Sequence, residues 1–128
     1  MVKEEAINSF WSSFSIPAYE ENTVSAMAEA GWTPTSPYIT YEVRTGSFGA
    51  VIPLTATLWY RSVSWVGINA KKAEIAAALE NGGIALGCDD GFVRLYRSDN
   101  FASNLGDPSD DMVKKVVMNY TAEFFTET

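Results

Sequence analysis

The sequence contains no histidine, and this single absence argues against several kinds of active site. Histidine is the commonest general base in enzymes, the base of catalytic triads and the commonest protein ligand of transition metals. The one cysteine, Cys88, cannot form an internal disulfide and lacks the Cys/His spacing of a zinc site. We therefore expect an inert thiol in a reducing compartment, no catalytic residues, no metal and no cofactor.

The sequence also lacks a basic cluster and a long apolar run. Its nine Lys and Arg residues are scattered among 16 acidic ones, for a net charge of −7. A protein that grips nucleic acid needs a basic surface to neutralise phosphates, so we expect none here, although an acidic surface lets DNA slide past. No stretch approaches the roughly 18 apolar residues of a membrane span, and the first residues, MVKEEAINSFWSSF, lack the apolar segment of a signal peptide. We expect neither classical secretion nor membrane insertion.

What is present is the composition of an ordinary globular protein. Hydrophobic residues make up 47% of the chain and charged residues 20%, which is typical of a folded domain rather than a disordered tail. A chain of 128 residues suits one core. We predict a single domain over residues 1–128.

Two segments have helical periodicity. Residues 3–14 place apolar side chains at i, i+3, i+4 and i+7, and Pro17 closes this helix. Residues 64–81 follow Ser64, a suitable N-cap, and end at Gly82-Gly83. The apolar positions of the two helices are Ile7, Phe10, Trp11 and Phe14, then Trp65, Ile68, Ile75 and Leu79.

Five segments read as strands. The ranges are 38–45, 50–61, 84–87, 92–97 and a long final strand from Lys115 onward, in which Val116, Met118, Tyr120, Ala122 and Phe124 share one face. Pro53 cannot donate to a strand ladder, so we expect an edge or a bulge near it. A helical reading of the final segment is also possible, but its β-branched and aromatic residues favour a strand.

The two remaining segments, 17–37 and 98–110, are expected to be connections, the first of them with a short helix near 24–30. The element order is then α-β-β-α-β-β-β. This pattern predicts the α+β class, with a mainly antiparallel five-stranded sheet packed by an N-terminal helix and one central helix.

All six aspartates lie between positions 89 and 111. Clustered carboxylates suit Mg²⁺ or Ca²⁺, and a metal-dependent enzyme using the Asp89–Asp111 cluster is one hypothesis. Aspartate is also a turn and cap residue, and the segment DPSDD lacks the spacing of a calcium loop, so we favour structural turns.

A possible interface lies between the second strand and the final hairpin. In the predicted strand, Trp59 and Arg61 point away from the apolar face, and Trp and Arg are enriched at binding hot spots. The alternative, that Trp59 packs beneath a helix, stays open. Charges at the start of the last strand suggest a complementary edge between identical subunits. The candidate interface residues are Trp59, Arg61, Phe101, Asp107, Asp110, Asp111, Lys114 and Lys115.

Three blocks of sequence together resemble a known family. They are FSIPAYEENTV followed by PYITYEV, then LTATLWYRSVSW leading into an alanine-rich helix, then DPSDDMVKKVVMNYTAEFFTE. In these strings and their order the chain resembles small proteins of tailed phages and prophages of Gram-positive bacteria, described as tail completion, tail terminator, head-tail joining or minor capsid proteins. The segment SAMAEAGWTPTS is longer than this pattern leads us to expect.

The resemblance implies a structural role in the virion and no enzyme activity. It implies a ring, typically a hexamer, which caps the tail tube, stops its polymerisation and docks a head completion or connector protein, while DNA passes through the lumen without specific binding. Assembly would take place in the cytoplasm of the bacterial host. The nearest alternative is a head completion or stopper protein of the same neck, and a further one is a host binding module that only shares the fold.

Overall fold

A six-stranded sheet organises the structure, and its two longest strands form one hairpin. The computed structural model describes residues 1–127. The helices are α1 (Lys3–Trp11), α2 (Glu21–Glu29) and α3 (Val66–Ala78), with a 3-10 turn, Ser12–Phe14, directly after α1. The strands are β1 (Ala18–Glu20), β2 (Tyr38–Tyr41), β3 (Val51–Arg61), β4 (Ile84–Cys88), β5 (Gly91–Asp107) and β6 (Asp110–Thr126). The prediction of an α+β fold is confirmed.

The strands lie in the order β1-β2-β3-β6-β5-β4. Neighbouring strands are antiparallel except for β1 and β2, which are parallel, so the sheet is mixed. The predicted count of five strands was wrong because it missed β1. A three-residue strand is too short to show an alternating pattern, and β1 lies between a proline and a helix.

One face of the sheet holds the core. Along β3 and β6 every second side chain is buried, as the alternation in the sequence predicts. The buried residues of these two strands include Leu54, Ala56, Leu58, Val116, Met118, Tyr120, Ala122 and Phe124. The opposite face, which we call the outer face, carries the other half of each strand.

Helices α1 and α3 cover the core face. Trp11 at the end of α1 is fully buried and contacts Tyr120 edge to face, with ring centroids 5.2 Å apart. The predicted stripe of α3 is buried at Ile68, Ile75 and Leu79. Both helices are shorter than predicted, because the last turn of the first one tightens into the 3-10 turn and α3 begins only at Val66. The Ser64 hydroxyl accepts the N–H of Val66 at 3.1 Å.

The predicted loop over 98–110 was wrong, because β5 continues through it to Asp107 and pairs with β6. The pairing shifts between Arg97 and Ala102, where β5 carries extra residues against β6, and is regular again over 102–106. Most side chains of the second half are exposed, so the sequence there is polar and shows no apolar alternation. The final strand accordingly begins at Asp110 rather than at Lys115.

The connection over 17–37 is more ordered than expected. It contains β1 and α2, and the Glu20 carboxylate caps α2 by accepting the N–H groups of Asn22 at 3.3 Å and Thr23 at 3.2 Å. The short helix near 24–30 therefore exists, but it starts earlier, at Glu21. The Ser36-Pro37 peptide bond is cis.

Pro53 lies in the part of β3 that pairs with only one strand. Strand β2 ends at Tyr41, opposite Ala56, so residues 51–55 of β3 pair only with β6. Side chains replace the missing strand there. The Arg44 guanidinium donates to the Pro53 carbonyl at 2.5 Å, and the Thr55 N–H donates to the Glu42 carboxylate at 2.7 Å. The expected edge near Pro53 is confirmed, although β3 as a whole is an inner strand.

Candidate assembly surface

Trp59 lies on the outer face, opposite α1 and α3, so it does not pack beneath either helix. Its ring stacks on that of Tyr38, with centroids 6.0 Å apart and an interplanar angle of 13°. Its indole N–H donates to the Thr40 hydroxyl at 3.0 Å. Lys115, directly opposite on β6, places its Nζ 5.4 Å from the ring centroid. The ring is thus held rigidly in a polar and aromatic environment.

The aromatic contacts continue from Trp59 to the edge of the sheet. Tyr38 contacts Tyr19 of β1 with centroids 6.2 Å apart, and Tyr19 contacts Trp32 at 5.4 Å. We call these four residues, Trp32, Tyr19, Tyr38 and Trp59, the aromatic row. It spans three strands of the outer face and reaches the free side of β1.

Arg61 and Asp110 lie at the same end of the sheet as Trp59. The guanidinium donates to the Asp110 carboxylate at 2.7 Å, which ties the end of β3 to the start of β6. This hydrogen bond, followed by the one from the backbone N–H of Met112, holds the pKa of Asp110 below its ordinary value. The pKa of Asp107 is also lowered, because its carboxylate accepts the hydroxyl and the backbone N–H of Ser109. These carboxylates order the hairpin turn, as the turn interpretation predicted.

Lys114 differs from its neighbour Lys115. It is only 8% exposed, on the core side of β6, and its ammonium group lies 5.6 Å from the centroid of the Trp65 ring and donates to the carbonyl of Asp111. Its cation is therefore occupied within the chain. Trp65 anchors the start of α3 to the sheet, which is the role predicted for it.

Seven of the eight candidate interface residues lie at one end of the sheet. Five of them line two shallow clefts beside the β5–β6 turn: Trp59 and Lys115 line the first, Asp111 and Lys114 the second, and Asp107 both. The other two, Arg61 and Asp110, form an ion pair at the same end. Phe101 is the exception. It lies in the irregular part of β5, half-buried against the core. We call this end of the sheet the hairpin end.

Five of the six aspartates lie at opposite ends of β5, and Asp99 lies in its irregular part. Asp89 pairs with the N-terminal ammonium group, and Asp90 lies in the β4–β5 turn, whereas Asp107 and Asp110 flank the β5–β6 turn. At 3.3 Å per residue, 17-residue β5 keeps the two groups roughly 50 Å apart along the strand. Within residues 1–127, no three acidic or cysteine side chains converge as a metal site would require. The Asp89–Asp111 metal cluster thus has no geometric basis among these residues.

A second aromatic cluster lies at the far end of the outer face. Phe125 stacks on Phe92 with centroids 4.7 Å apart and contacts Phe48 edge to face at 5.8 Å. Phe48 is 73% exposed and Phe92 is 40% exposed. Exposed aromatic clusters of this kind mark binding surfaces more often than isolated apolar residues do. We call this group the phenylalanine end.

The sequence interpretation missed both the aromatic row and the phenylalanine end. Tyr38 and Thr40 alternate with Ile39 and Tyr41, so a signal for the outer face of β2 was present in PYITYEV. The contribution of Tyr19 and Trp32 was not visible, because it depends on the parallel pairing of β1 with β2.

In residues 1–127, no helix has both the length and the apolar character needed to cross a membrane. Comparison of the chain with protein-family models, with curated proteins and with solved structures finds no match.

Proposed function

We propose that this protein is a structural component of a tailed-phage neck. Copies of the chain form a ring, of six by the resemblance, that caps the tail tube, ends its polymerisation and joins it to the head connector. The observation that carries the proposal is the outer face of the sheet, which α1 and α3 leave uncovered and which presents aromatic groups at both of its ends. Proteins that work by docking rather than by chemistry need such surfaces.

Two different ends suit a protein that must dock on two sides. The hairpin end combines Trp59, Lys115 and the Arg61–Asp110 ion pair, whereas the phenylalanine end is apolar and exposed at Phe48 and Phe92. A neck ring contacts the tail tube with one side and the head connector with the other, and these partners are chemically distinct. The separation of the two surfaces along 17-residue strands supports one partner at each end.

The charge of the chain suits a channel for DNA. Six glutamates and no lysine or arginine lie between positions 4 and 43, and the whole chain has a net charge of −7. A ring of such chains repels phosphate, so DNA slides through its lumen without being held.

The mass of the assembly tests this proposal. We expect static light scattering to give six times the 14.0 kDa chain mass once assembled tail tube is added, because the tube end orders the ring. The protein without tube serves as the control for spontaneous assembly. The proposal is contradicted if, in both samples, the protein is found only as 14.0 kDa single chains that are not bound to tube.

A further inference from the structure

Two strand edges of the sheet have no strand beside them. Strand β1 is the last strand on one side of the sheet. On the other side, β4 covers β5 only from Gly91 to Leu95, so the regular segment 102–106 of β5 has β6 on one side and no strand on the other within residues 1–127. A free strand edge offers a row of backbone donors and acceptors, and it is a template for pairing with another chain.

The two free edges lie at the same level of the sheet. Ala18 of β1 is level with Asn104 of β5, because the pairings run from Ala18 to Ile39, Leu58, Val116 and then Asn104. By the same pairings Glu20 is level with Ala102. A second copy placed beside the first along these rows therefore brings β1 against 102–104 without any shift along the strands.

The strand directions also agree. Strand β1 runs parallel to β2, and three antiparallel steps lead from β2 through β3 and β6 to β5. Strand β1 of one copy is thus antiparallel to β5 of a neighbour in the same orientation, and antiparallel pairing forms the stronger ladder. Because the two edges are different, the contact is head to tail, which is the kind of interface that closes a ring.

The charges on the core side of the two edges are complementary. Glu20 pairs in register with Tyr41, whose side chain is buried in the core, so the Glu20 side chain lies on the core side of β1, where its carboxylate also caps α2. Lys72 of α3 lies on the same side of the other edge, where its Nζ is 3.1 Å from the Asn104 side-chain oxygen. Neither Glu20 nor Lys72 takes part in an ion pair within residues 1–127.

The outer side of the same edges is apolar. Leu105 is 43% exposed and lies just beyond Ser103, which is level with Tyr19. Trp32, at 36% exposure, borders Tyr19 at the β1 edge. Pairing of the edges would bury Leu105 of one copy against Tyr19 and Trp32 of the next.

We propose that the partner at these edges is a second copy of this chain, and that β1 of one copy pairs antiparallel with residues 102–104 of the next to extend the sheet from subunit to subunit. The inference rests on the proposed ring and specifies its contact. Three features together support it: the common level of the edges, the Glu20 and Lys72 charges on one side, and the Leu105 contact on the other.

Engineered disulfides test the pairing directly. The variant combines Ala18→Cys and Asn104→Cys in a Cys88→Ser background. Facing residues of antiparallel strands have Cα atoms about 4.5–5.5 Å apart, within the range that a disulfide spans. Inside one chain the two positions are separated by four strand spacings, roughly 19 Å, so a disulfide between them must join two copies. We expect a ladder of cross-linked multimers under oxidising conditions.

The control variant pairs Ala18→Cys with Ser109→Cys, which lies in the β5–β6 turn several rows away, and we expect it to remain uncross-linked. The single variants should also remain uncross-linked, and unfolding curves confirm that each variant folds. Dimers formed by Asn104→Cys alone would overturn the inference, because they show pairing of like edges. A ring-sized mass without cross-links overturns the edge pairing and leaves the proposed function standing. A single-chain mass in the presence of tail tube overturns both.

Discussion

Replacing Trp11 with alanine should lower the free energy of unfolding by about 3–5 kcal/mol, the usual cost of removing a buried aromatic side chain. Trp11 is fully buried and contacts Phe10, Phe14, Tyr41 and Tyr120. It is the side chain that fixes α1 onto the core face of the sheet. Removal leaves a cavity between a helix and two strands, which the surrounding rings cannot fill without leaving their positions.

Urea denaturation followed by circular dichroism measures this effect. Trp32→Ala is the matched control, because Trp32 is 36% exposed and contacts the sheet mainly through Tyr19, so its loss should cost well under half as much. Trp11→Phe keeps an aromatic ring among these contacts, so it should cost much less than Trp11→Ala. Equal losses for Trp11→Ala and Trp32→Ala would contradict the described core.

Replacing Leu105 with aspartate should abolish ring assembly while the fold remains intact. Leu105 is 43% exposed in the single chain, so the new carboxylate stays in water there. In the proposed contact it would instead be desolvated against Tyr19 and Trp32. Burying an unpaired charge costs several kcal/mol, enough to reduce association by a factor of a hundred or more.

Light scattering with tail tube present gives the readout, and the urea midpoint gives the check on folding. Val2→Asp is the matched control, because Val2 is 48% exposed at the N-cap of α1, beside the β4–β5 turn and at the opposite end of β5 from residues 102–106. We expect this control to assemble like the unmodified protein, because aspartate is a favoured N-cap residue. Normal assembly of Leu105→Asp would show that this side of the edge is not in the contact.

The parts of the fold that the sequence predicts correctly are those whose signal lies within one segment of the chain. The alternation in β3 and β6 identified their buried faces correctly, because each strand packs on one side only and repeats the pattern many times. The helical stripe of α3 was equally clear, with Ile68 and Ile75 buried as expected. These features required no knowledge of which elements meet.

The failures concern pairing between distant segments. Residues 98–107 are polar because that half of β5 is exposed, and only their pairing with β6 makes them a strand. Strand β1 exists through its parallel contact with β2, 21 residues away, and the aromatic row depends on the same contact. The predicted final strand began at Lys115, so Lys114 was grouped with Lys115; because β6 begins at Asp110, the two side chains point to opposite faces and only Lys115 is on the outer face.

The most direct test of the central claim is the length of phage tails assembled without this protein. Electron microscopy would compare particles from a host in which its gene is deleted with particles from the same host complemented by the intact gene. A ring that ends tube polymerisation predicts abnormally long tails in the deletion and tails of uniform length after complementation. Tails of normal length in the deletion would contradict the account, and if the heads of those particles leak DNA, the protein acts instead as the head completion ring.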